Sequence, residues 1–500
     1  MSKKVNYEEC EMAILKSAVK KIEQKMGKKK LNNPKIKEII KIVEQFLKDK
    51  KRICYGGTAI NNILPTKDQF YDKDIEFPDY DFFSPTPLED AKKLADIYYA
   101  KGYNEVEAKS GAHEGTFKVY VNFLPVADIT YLVPELYDSI LKKSIIVDSI
   151  YYCPPTYLRM AMYLELSRPD GDVSRWTKVL KRLTLLNKNY PFKGMDCKKE
   201  DIQRLFQYGN NKTRKTPKKS INKSKKDNYE EQDKKLKNIE SEIFNIARNT
   251  FVEEGGVFFG GMANKFYLKK MKSFKQNKIP NIPDFDVLFE SPEKVAKKLI
   301  KNLNDIGVKN IRVQKHNGVG EIIAPHYEIK VGGETIAFLY EPLACHSYNV
   351  VSVDKMKIKI ATIDTMLSFY LAFVYIDRPY YDINRLMCMS EYLFTVQKEN
   401  RLKQRGILKR FSMDCYGRQL TLEKMRKHKK DKYKELKNKK HTKEYEWFFL
   451  NYSPIQEKTV TTKKKKTSNK TQKKKNNKRQ IKKKKKKTKK KRKSKKRKIK

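Results

Sequence analysis

The sequence contains few of the residues that stabilise secreted or membrane proteins. Seven of its 500 residues are cysteine, scattered along the chain without a Cys-x-x-Cys pair. No apolar run approaches the ~18 residues that a membrane-spanning helix needs, and the N-terminus lacks the apolar segment of a signal peptide. We therefore expect neither a disulfide framework nor a zinc finger. The expected protein is soluble, is not secreted and works in a reducing intracellular compartment.

Acidic residues are also scarce, because 59 Asp and Glu face 112 Lys and Arg and leave a net charge of +53. Residues 458–500 contain 27 of these basic residues and no acidic one, so the remainder of the chain still carries +26. Such an excess favours polyanionic partners, either nucleic acid or an anionic membrane surface. A genome rich in A and T would also enrich lysine, which leaves codon bias open as an explanation. The 39% hydrophobic content excludes wholesale disorder.

Three breaks in composition divide the chain into two folded blocks. Residues 210–227 are polar and basic and predict a linker or an exposed loop. Residues 421–458 are highly charged and predict a helical extension, whereas residues 459–500 form a low-complexity, lysine-rich tail that we expect to be disordered. The blocks between these breaks are residues 1–209 and 228–420.

The two blocks show the same order of motifs. In the first, YGG at 55–57 is followed by DYD at 79–81. In the second, FGG at 259–261 is followed by DFD at 284–286. The last glycine and the first aspartate are 22 positions apart in the first block and 23 in the second. Because chance seldom reproduces both order and spacing, we interpret the blocks as related copies of one domain.

The pattern of the first block predicts a mixed sheet covered by helices. A short apolar strand ends at the glycine pair, and the alternation of acidic and aromatic residues around Asp79 predicts a second strand. Thr86 and Glu89 have the spacing of a capping box, with a proline at the first helical position. Two turn-linked strands follow at 116–123 and 126–131. The predicted fold class is α/β (α+β), with two tandem domains that each contain a mixed sheet and helices.

Three acidic residues of the first block have the pattern of a metal site. On a strand, Asp79 and Asp81 point to the same face with their Cα atoms about 6–7 Å apart. Two ionised carboxylates this close repel each other unless a cation binds between them. Asp128 is a lone acid in an otherwise apolar strand, where an unpaired charge is costly. Carboxylate oxygens suit Mg²⁺, and a third carboxylate would complete a site for two ions beside a reacting phosphate.

Each of these motifs has a simpler explanation when it stands alone. An Asp-x-Asp pair also occurs in turns and at solvated strand edges, and Gly56 with Gly57 also suits a tight turn. At a helix N-terminus, however, a glycine pair lets backbone N–H groups approach a triphosphate. The combination of that pair with acids on two later strands is more specific than any one motif.

The combination resembles the DNA polymerase beta-like nucleotidyltransferase superfamily, in which a small-residue pair precedes two acids and a third acid lies on a following strand. Within it, the segments YGGTAIN at 55–61, DYDFFSPTP at 79–87 and RPDGDVSRWTKVLKRL at 168–183 are similar to the poly(A) polymerase catalytic subunit of poxviruses and giant nucleocytoplasmic DNA viruses. The resemblance covers the first block well, the second in outline and the tail not at all.

The resemblance implies template-independent transfer of AMP from ATP to the 3′ end of mRNA. Two Mg²⁺ or Mn²⁺ ions would be held by Asp79, Asp81 and Asp128, which are the expected catalytic and metal-binding residues. Thr58 follows the glycine pair where the superfamily more often has Gly-Ser, and it is the candidate to replace that serine's triphosphate contact. The expected nucleotide-binding residues are Gly56, Gly57, Thr58, Arg175 and Lys178. For the last two, a solvated helix face is the open alternative.

The second block keeps the glycine pair and two acids but lacks a clear third acid. Aligning VADITYLVPEL with TIAFLYEPL places Phe338 opposite Asp128, although a shifted alignment would offer Glu334 or Glu341 instead. We therefore expect an inactive copy that serves the RNA path, the architecture or self-association.

RNA and ATP are thus the expected partners, without a membrane, and a homodimer is left open. An intracellular location in the host cytoplasm, at the viral factory, and packaging into the virion follow from the resemblance alone. Two other functions stay open from the sequence. One is a nucleotidyltransferase that uses another nucleotide or acceptor, and the other is a non-catalytic RNA-binding scaffold.

Overall fold

The computed structural model of the protein describes most of both blocks. The described residues are 6–72, 74–197, 202–204, 206, 208, 223–272 and 281–455. The lysine-rich tail at 459–500 lies outside them, as does the predicted linker at 210–227 except for residues 223–227, which begin a helix. Among the described residues, no helix combines the length and the apolar character that crossing a bilayer requires.

The first copy consists of helices and short strands in alternation. Its helices are α1 (Tyr7–Leu31), α2 (Pro34–Lys50), α3 (Gly56–Ile63), α4 (Pro87–Ala100), α5 (Pro134–Leu141), α6 (Pro155–Leu166) and α7 (Trp176–Asn189). Its strands are β1 (Ile53–Cys54), β2 (Tyr80–Ser84), β3 (Val106–Ser110), β4 (Thr116–Val121), β5 (Leu124–Tyr131), β6 (Ile145–Val147) and β7 (Ile150–Tyr152).

The second copy repeats most of this order after a long helix, without a counterpart of α5 among its described residues. Its helices are α8 (Lys223–Glu253), α9 (Gly260–Leu268), α10 (Pro292–Asp305), α11 (Ile363–Phe373) and α12 (Ile383–Glu399). Its strands are β8 (Val257–Phe259), β9 (Phe285–Leu288), β10 (Ile311–His316), β11 (His326–Val331), β12 (Glu334–Tyr340), β13 (His346–Val353), β14 (Met356–Ala361) and β15 (Cys415–Tyr416). A C-terminal extension adds α13 (Leu422–Leu436), α14 (Lys443–Phe449) and β16 (Asn451–Tyr452).

Seven corresponding strands follow the same order in the sheets of the two copies, and an eighth strand lies at opposite edges, as β16 in the first sheet and β15 in the second. The first sheet runs β16-β3-β4-β5-β2-β1-β7-β6, and the second runs β10-β11-β12-β9-β8-β14-β13-β15. One inner pair of strands is parallel in each sheet. This pair is β2 with β5 in the first sheet and β9 with β12 in the second. The predicted fold class, two tandem mixed-sheet domains with helices, is therefore confirmed.

Helix α4 begins at Pro87, as the sequence predicts, but its capping differs. Thr86 forms no side-chain hydrogen bond to the first turn, so the expected capping box does not form. Instead, the main-chain N–H of Thr86 donates a hydrogen bond to the hydroxyl oxygen of Ser84 at 2.9 Å. The backbone at Thr86 (φ −136°, ψ 59°) lies outside the extended conformation that N-cap residues usually adopt.

Helices α6 and α11 pack against each other and join the two copies. At one end of this contact, the main-chain N–H of Ser347 donates a hydrogen bond to the carbonyl oxygen of Ser167 at 2.8 Å. Tyr157 and Tyr375 also meet edge to face, with ring centroids 5.4 Å apart. The packed cores of both copies are therefore continuous across this helix pair.

The prediction that the cysteines form no disulfides is wrong. Cys197 is bonded to Cys388, and Cys345 is bonded to Cys415. The partners are 191 and 70 residues apart in sequence, and the fold brings their Cα atoms to 5.4 and 5.1 Å. Such pairings depend on tertiary structure, so the spacing of scattered cysteines could not reveal them.

The C-terminal extension returns to the first copy. Strand β16 pairs antiparallel with β3, so it forms the edge of the first sheet. The hydroxyl group of Tyr452 donates to Asp96 on α4 at 2.7 Å, and Lys92 on the same helix pairs with Glu446 of α14 at 2.7 Å. The segment predicted as a charged helical extension is thus helical over α13 and α14 and ends in a strand.

Candidate active site

The acidic residues of the first copy meet where β2 lies beside β5. These strands are parallel neighbours, and their register places Asp81 directly opposite Asp128. Asp79 lies immediately before β2, two residues ahead of Asp81. The charge of Asp128 raises the pKa of the carboxyl groups of Asp79 and Asp81, and the charge of Asp79 raises the pKa of Asp81. Such effects require the charges to be close to one another. The structure therefore brings together the three acids that the sequence selects.

Burial and mutual repulsion raise the pKa of two of these carboxyl groups. Burial is the largest cause that raises the pKa of Asp81, to about 7, and the charges of Asp79 and Asp128 follow. The pKa of Asp79 is raised by burial first and then by Asp128. Neighbouring basic side chains offset part of this repulsion. A divalent ion bound to the carboxylate oxygens would offset more of it.

Lys118 on β4 is a counter-ion that the motif analysis missed. Its ammonium group donates a hydrogen bond to Oδ2 of Asp128, which lies opposite it in the register of β4 and β5. Strand β4 alternates half-exposed and buried residues, so Lys118 shares the sheet face of Asp128. That alternation, with a lysine at a polar position, was the available sequence signal. An ion at this site would compete with the ammonium group for the same oxygen.

The three aspartates are spaced more widely than ligands that have closed on one ion. In the described part of the chain, the group of three candidate ligands with donor atoms within 4.8 Å of one another is Asp170 with Cys345 and Cys415. Those two cysteines form a disulfide and offer no thiolate. The aspartates nevertheless fit Mg²⁺ or Mn²⁺ chemically, because they supply only hard oxygen donors.

The glycine pair opens α3 directly beside the carboxylates. Gly56 has φ +73°, a left-handed conformation that glycine adopts without steric penalty. A Cβ atom on Gly56 would lie 2.6 Å from Oδ2 of Asp81, so no larger residue fits there. No side chain caps α3. The N–H groups of its first turn are therefore available to an anion.

Thr58 holds the main chain of the first aspartate. Its hydroxyl group donates a hydrogen bond to the carbonyl oxygen of Asp79 at 2.7 Å, and its side chain is buried. The expectation that Thr58 contacts the triphosphate through this hydroxyl is therefore corrected, because the hydroxyl proton is already used by Asp79. Thr58 thus holds the main chain at Asp79 in position beside the other two carboxylates.

Arg175 and Lys178 lie near the carboxylates without forming ion pairs with them. Nε of Arg175 lies 3.1 Å from Oε1 of Glu165, and 57% of the Arg175 side chain is exposed. The charge of Arg175 lowers the pKa of Asp81, and the charge of Lys178 lowers that of Asp79, against the larger effect of burial. Both cations are thus close enough to act on an incoming polyanion.

The second copy has the same register but a different residue at the third position. Strands β9 and β12 are parallel neighbours, and Asp286 lies opposite Phe338, which takes the position of Asp128. Glu334 begins β12 and Glu341 follows its end, so neither carboxyl group replaces the missing acid. The alignment predicted from the sequence is confirmed by the strand register.

A guanidinium group occupies the carboxylate site of this second copy. Nη2 of Arg204 lies 2.5 Å from Oδ1 of Asp284, and Nη1 lies 3.4 Å from Oδ1 of Asp286. The main-chain N–H of Arg204 donates to Asp284 at 2.8 Å. Arg385 binds the same carboxylate at 3.2 Å. Burial lowers the pKa of Arg204, but the charges of both aspartates raise it on balance. Sequence reasoning missed Arg204 because it lies near the end of the first block, outside every motif.

The repeated sheet, the glycine-opened helix and the acidic strand positions define a nucleotidyltransferase-like fold. Residues 41–172 match the family model described as poly(A) polymerase catalytic subunit. This match confirms the resemblance that the motifs of the first block predict, and it contains Gly56, Asp79, Asp81 and Asp128.

Individual relatives agree with the family match. A protein of Acanthamoeba polyphaga mimivirus, assigned as a poly(A) polymerase catalytic subunit, is 36% identical over 168 residues, which are 33% of this chain and 28% of that protein. A protein of African swine fever virus with the same assignment is 35% identical over 170 residues, covering 33% of this chain and 35% of that protein. The similarity thus spans about a third of each curated relative.

The fold extends the similarity to most of the chain. The crystal structure of the Megavirus polyadenylate synthase superposes with a TM-score of 0.70 at 21% sequence identity, covering 91% of this chain and 87% of that chain. The two proteins therefore share a fold over most of the chain, including most of the part that the sequence matches leave out.

Proposed function

We propose that the protein is a template-independent poly(A) polymerase, which transfers AMP from ATP to the 3′ end of mRNA. The observation that carries this proposal is the meeting of Asp79, Asp81 and Asp128 beside the uncapped N-terminus of α3. That site lies within the segment that matches the poly(A) polymerase catalytic subunit family. The second copy lacks the third acid and serves as a non-catalytic partner of the first.

The residues of the first copy have separate tasks in this reaction. Asp79, Asp81 and Asp128 would hold two Mg²⁺ or Mn²⁺ ions, which supply Lewis acidity for attack by the 3′ hydroxyl and departure of pyrophosphate. The first-turn N–H groups of α3 at Gly56 and Gly57 hold the triphosphate by hydrogen bonds and the helix dipole. The new bond joins the RNA 3′ oxygen to the α-phosphorus of ATP, and the bond to the β-phosphate breaks.

Basic side chains then position the two polyanionic substrates. Arg175 and Lys178 offset the charge of the triphosphate near the carboxylates. RNA is favoured over a small acceptor because the chain keeps a charge of +26 without residues 458–500. Because the relatives are viral proteins, we extend the proposal to the host cytoplasm, at the viral factory, and to the virion.

We also propose that the protein forms a homodimer through an exposed apolar stripe on α1. Exposed apolar side chains of α1 are spaced alternately three and four residues apart, as on one face of a coiled-coil helix. They are Met12, Leu15, Val19, Ile22 and Met26. Glu8 and Glu9 precede this stripe and Lys28 to Lys30 follow it, so two antiparallel copies would place opposite charges together.

RNA extension with each nucleotide in turn tests the main proposal. Purified protein is incubated with a short RNA, Mg²⁺ or Mn²⁺, and ATP, GTP, CTP or UTP separately. We expect extension with ATP alone. Equal use of all four nucleotides would favour a nucleotidyltransferase of another specificity, and no extension would favour the RNA-binding scaffold.

A matched pair of variants tests the assignment of the two copies. We expect Asp81→Asn to lower the extension rate at least about a hundredfold, because a metal-binding carboxylate supplies several kcal/mol to the transition state. RNA binding should persist, since the charge change is small against the whole basic surface. Asp286→Asn in the second copy is the control and should keep the extension rate, provided that its melting temperature shows a folded protein. Equal losses in both variants would contradict the assignment.

Light scattering with α1 variants tests the homodimer. We expect Val19→Glu to dissociate the dimer, because it places a charge in the apolar stripe, and Lys20→Glu beside it to leave the dimer intact. A monomeric wild-type protein would contradict this proposal.

A further inference from the structure

Arg182 lies against the glycine pair that opens α3. It is one helical turn beyond Lys178 on α7, so the two cations share one face of that helix. A Cβ atom on Gly57 would lie 2.8 Å from Nη2 and 3.0 Å from Nη1 of Arg182. A side chain at Gly57 would therefore collide with this guanidinium group and with the hydroxyl oxygen of Tyr71, which would lie 2.5 Å from the same Cβ atom.

Aromatic rings hold this guanidinium group in place. Nη2 of Arg182 donates a hydrogen bond to the hydroxyl oxygen of Tyr71 at 2.5 Å. The rings of Phe70 and Tyr71 lie 5.0 and 5.5 Å from its central carbon. The nearby carboxylate of Glu165, which Arg182 also influences, forms its ion pair with Arg175 instead.

A cation in this position favours an anion between itself and the helix. The N-terminus of α3 carries the positive end of the helix dipole, which repels a guanidinium group and attracts negative charge. An anion bound to both would turn this repulsion into two attractions. Because the first-turn N–H groups have no capping side chain, they remain free to donate to the same anion.

The order of contacts indicates which anion fits. Gly56 lies against Asp81 and the next residue, Gly57, lies against Arg182. One end of the glycine pair therefore faces the carboxylates and the other faces the guanidinium group. A nucleoside triphosphate can extend along the glycine pair, with its reacting α-phosphate at the carboxylates and its terminal phosphates at Arg182.

The second copy provides an internal comparison. Arg168 and Arg175 correspond to Arg378 and Arg385 at a constant offset of 210, and the same offset pairs Arg182 with Tyr392. The equivalent glycine, Gly261, faces Asp284 and the carbonyl oxygen of Ile202 instead of a cation. The arginine is thus present in the copy with three acids and replaced in the copy that lacks the third.

We infer that Arg182, held by Phe70 and Tyr71, binds the terminal phosphates of the nucleoside triphosphate in the first copy. This inference rests on the proposed function and adds to it a residue for substrate binding. The bidentate guanidinium group suits phosphate oxygens, and its aromatic neighbours restrict its movement before the substrate arrives.

Steady-state extension of RNA at varied ATP concentration, with pyrophosphate as inhibitor, tests the inference. We expect Arg182→Gln to raise the KM for ATP and the inhibition constant of pyrophosphate by about tenfold each, because a charged hydrogen-bonding pair is lost. The kcat should change much less, since ground state and transition state lose the same contact. Lys181→Gln, one residue earlier on α7 and exposed, is the matched control and should keep both constants.

Arg182→Lys is the second variant, because it keeps the charge and disturbs the packing less. We expect a smaller rise in the same two constants, since an ammonium group cannot bind bidentately. Melting temperatures identify which variant folds, and that variant decides the outcome. An unchanged KM and inhibition constant in a folded variant would overturn the phosphate assignment alone, whereas a wild-type protein that extends no RNA with ATP would overturn the proposed function.

Discussion

Single atoms decide which residues the candidate site can accept. Gly56 needs both its left-handed backbone and its missing side chain, because φ is +73° and a Cβ atom would lie 2.6 Å from Asp81. Gly102 at the end of α4 needs only the backbone, since φ is +94° and nothing lies within 4 Å of its would-be Cβ atom. These two glycines therefore separate the two requirements.

Alanine at each of these glycines should have different consequences. We expect Gly102→Ala to lower the free energy of unfolding by about 1–2 kcal/mol through backbone strain alone, without loss of RNA extension. Gly56→Ala should destabilise the protein further and reduce extension at least about tenfold, because Asp81 must move. Urea unfolding and extension assays measure both effects. Full activity of Gly56→Ala would show that the close contact with Asp81 is dispensable.

Because His346 is buried, we expect the free energy of unfolding of the protein to fall at acidic pH. Burial first, and then the charge of Arg168, lowers the pKa of His346 from 6.5 to about 3. A histidine whose folded pKa is depressed stabilises the fold fully above its unfolded pKa, and this contribution is lost as the pH falls from 6.5 towards 3. The ring packs against Phe369 at 4.8 Å, so protonation would leave a charge in an apolar contact.

Replacement of this histidine should flatten the pH dependence. We expect the unfolding free energy of the wild type to fall, through this residue, by about 1.4 kcal/mol per pH unit between pH 6 and pH 4. His346→Phe should lose that component, whereas His113→Phe, at an exposed position, should retain it. Parallel curves for the wild type and His346→Phe would contradict the prediction.

The residues that sequence reasoning found are those with local patterns. Asp79 and Asp81 alternate along one strand, and Asp128 is a lone acid in an apolar strand, so their chemistry is visible without a structure. Arg204 and Arg182 carry no such pattern, because each acts on residues distant in sequence. Basic residues are so frequent in this chain that only the fold distinguishes these two from solvated ones.

Helices and strands, like single residues, are predictable where a local sequence pattern marks them and unpredictable where they depend on distant partners. Strands β2, β4 and β5 and helices α3 and α4 are predictable because glycine, proline and alternating apolar residues mark them. Strands β6 and β7 have three residues each, and β16 has two, which is too short for a periodic signal. Their existence depends on pairing with neighbours, so the sequence alone could not place them.

Arg204, near the end of the first block, occupies the carboxylate site of the second copy. Its guanidinium group neutralises two carboxylates that are otherwise buried, with 0% of the Asp284 side chain and 10% of the Asp286 side chain exposed. Removal of one partner from such a group leaves uncompensated buried charge, which costs far more than the intact group contributes.

Arg204→Met should therefore destabilise the protein by about 3–5 kcal/mol. We expect the triple variant Arg204→Met, Asp284→Asn and Asp286→Asn to recover part of that loss, because it removes the orphaned charges as well. Denaturant unfolding of the two variants and the wild type measures the difference. Equal stability of Arg204→Met and the wild type would show that the guanidinium group does not neutralise this site.

At the scale of the whole molecule, we expect the basic residues 459–500 to contribute to RNA binding and not to the chemical step. Deletion of residues 459–500 should weaken RNA binding and reduce its dependence on salt, because fewer counterions are released from the RNA. Extension should continue at saturating RNA, since these residues include none of the proposed site. Filter binding over a salt series measures the slope, and a tail of equal length with glutamine for lysine is the control. An inactive truncated protein would contradict this separation.

The pairing of β16 with β3 has a consequence for how substrate reaches the site. Asn451 lies opposite Lys109 and Tyr452 opposite Ala108, so the chain leaves its described part at the edge of the first sheet. The basic residues that follow are thereby tethered to the copy with three acids. RNA captured by this tether would be held at a high local concentration beside that copy, and successive additions could occur before the strand diffuses away.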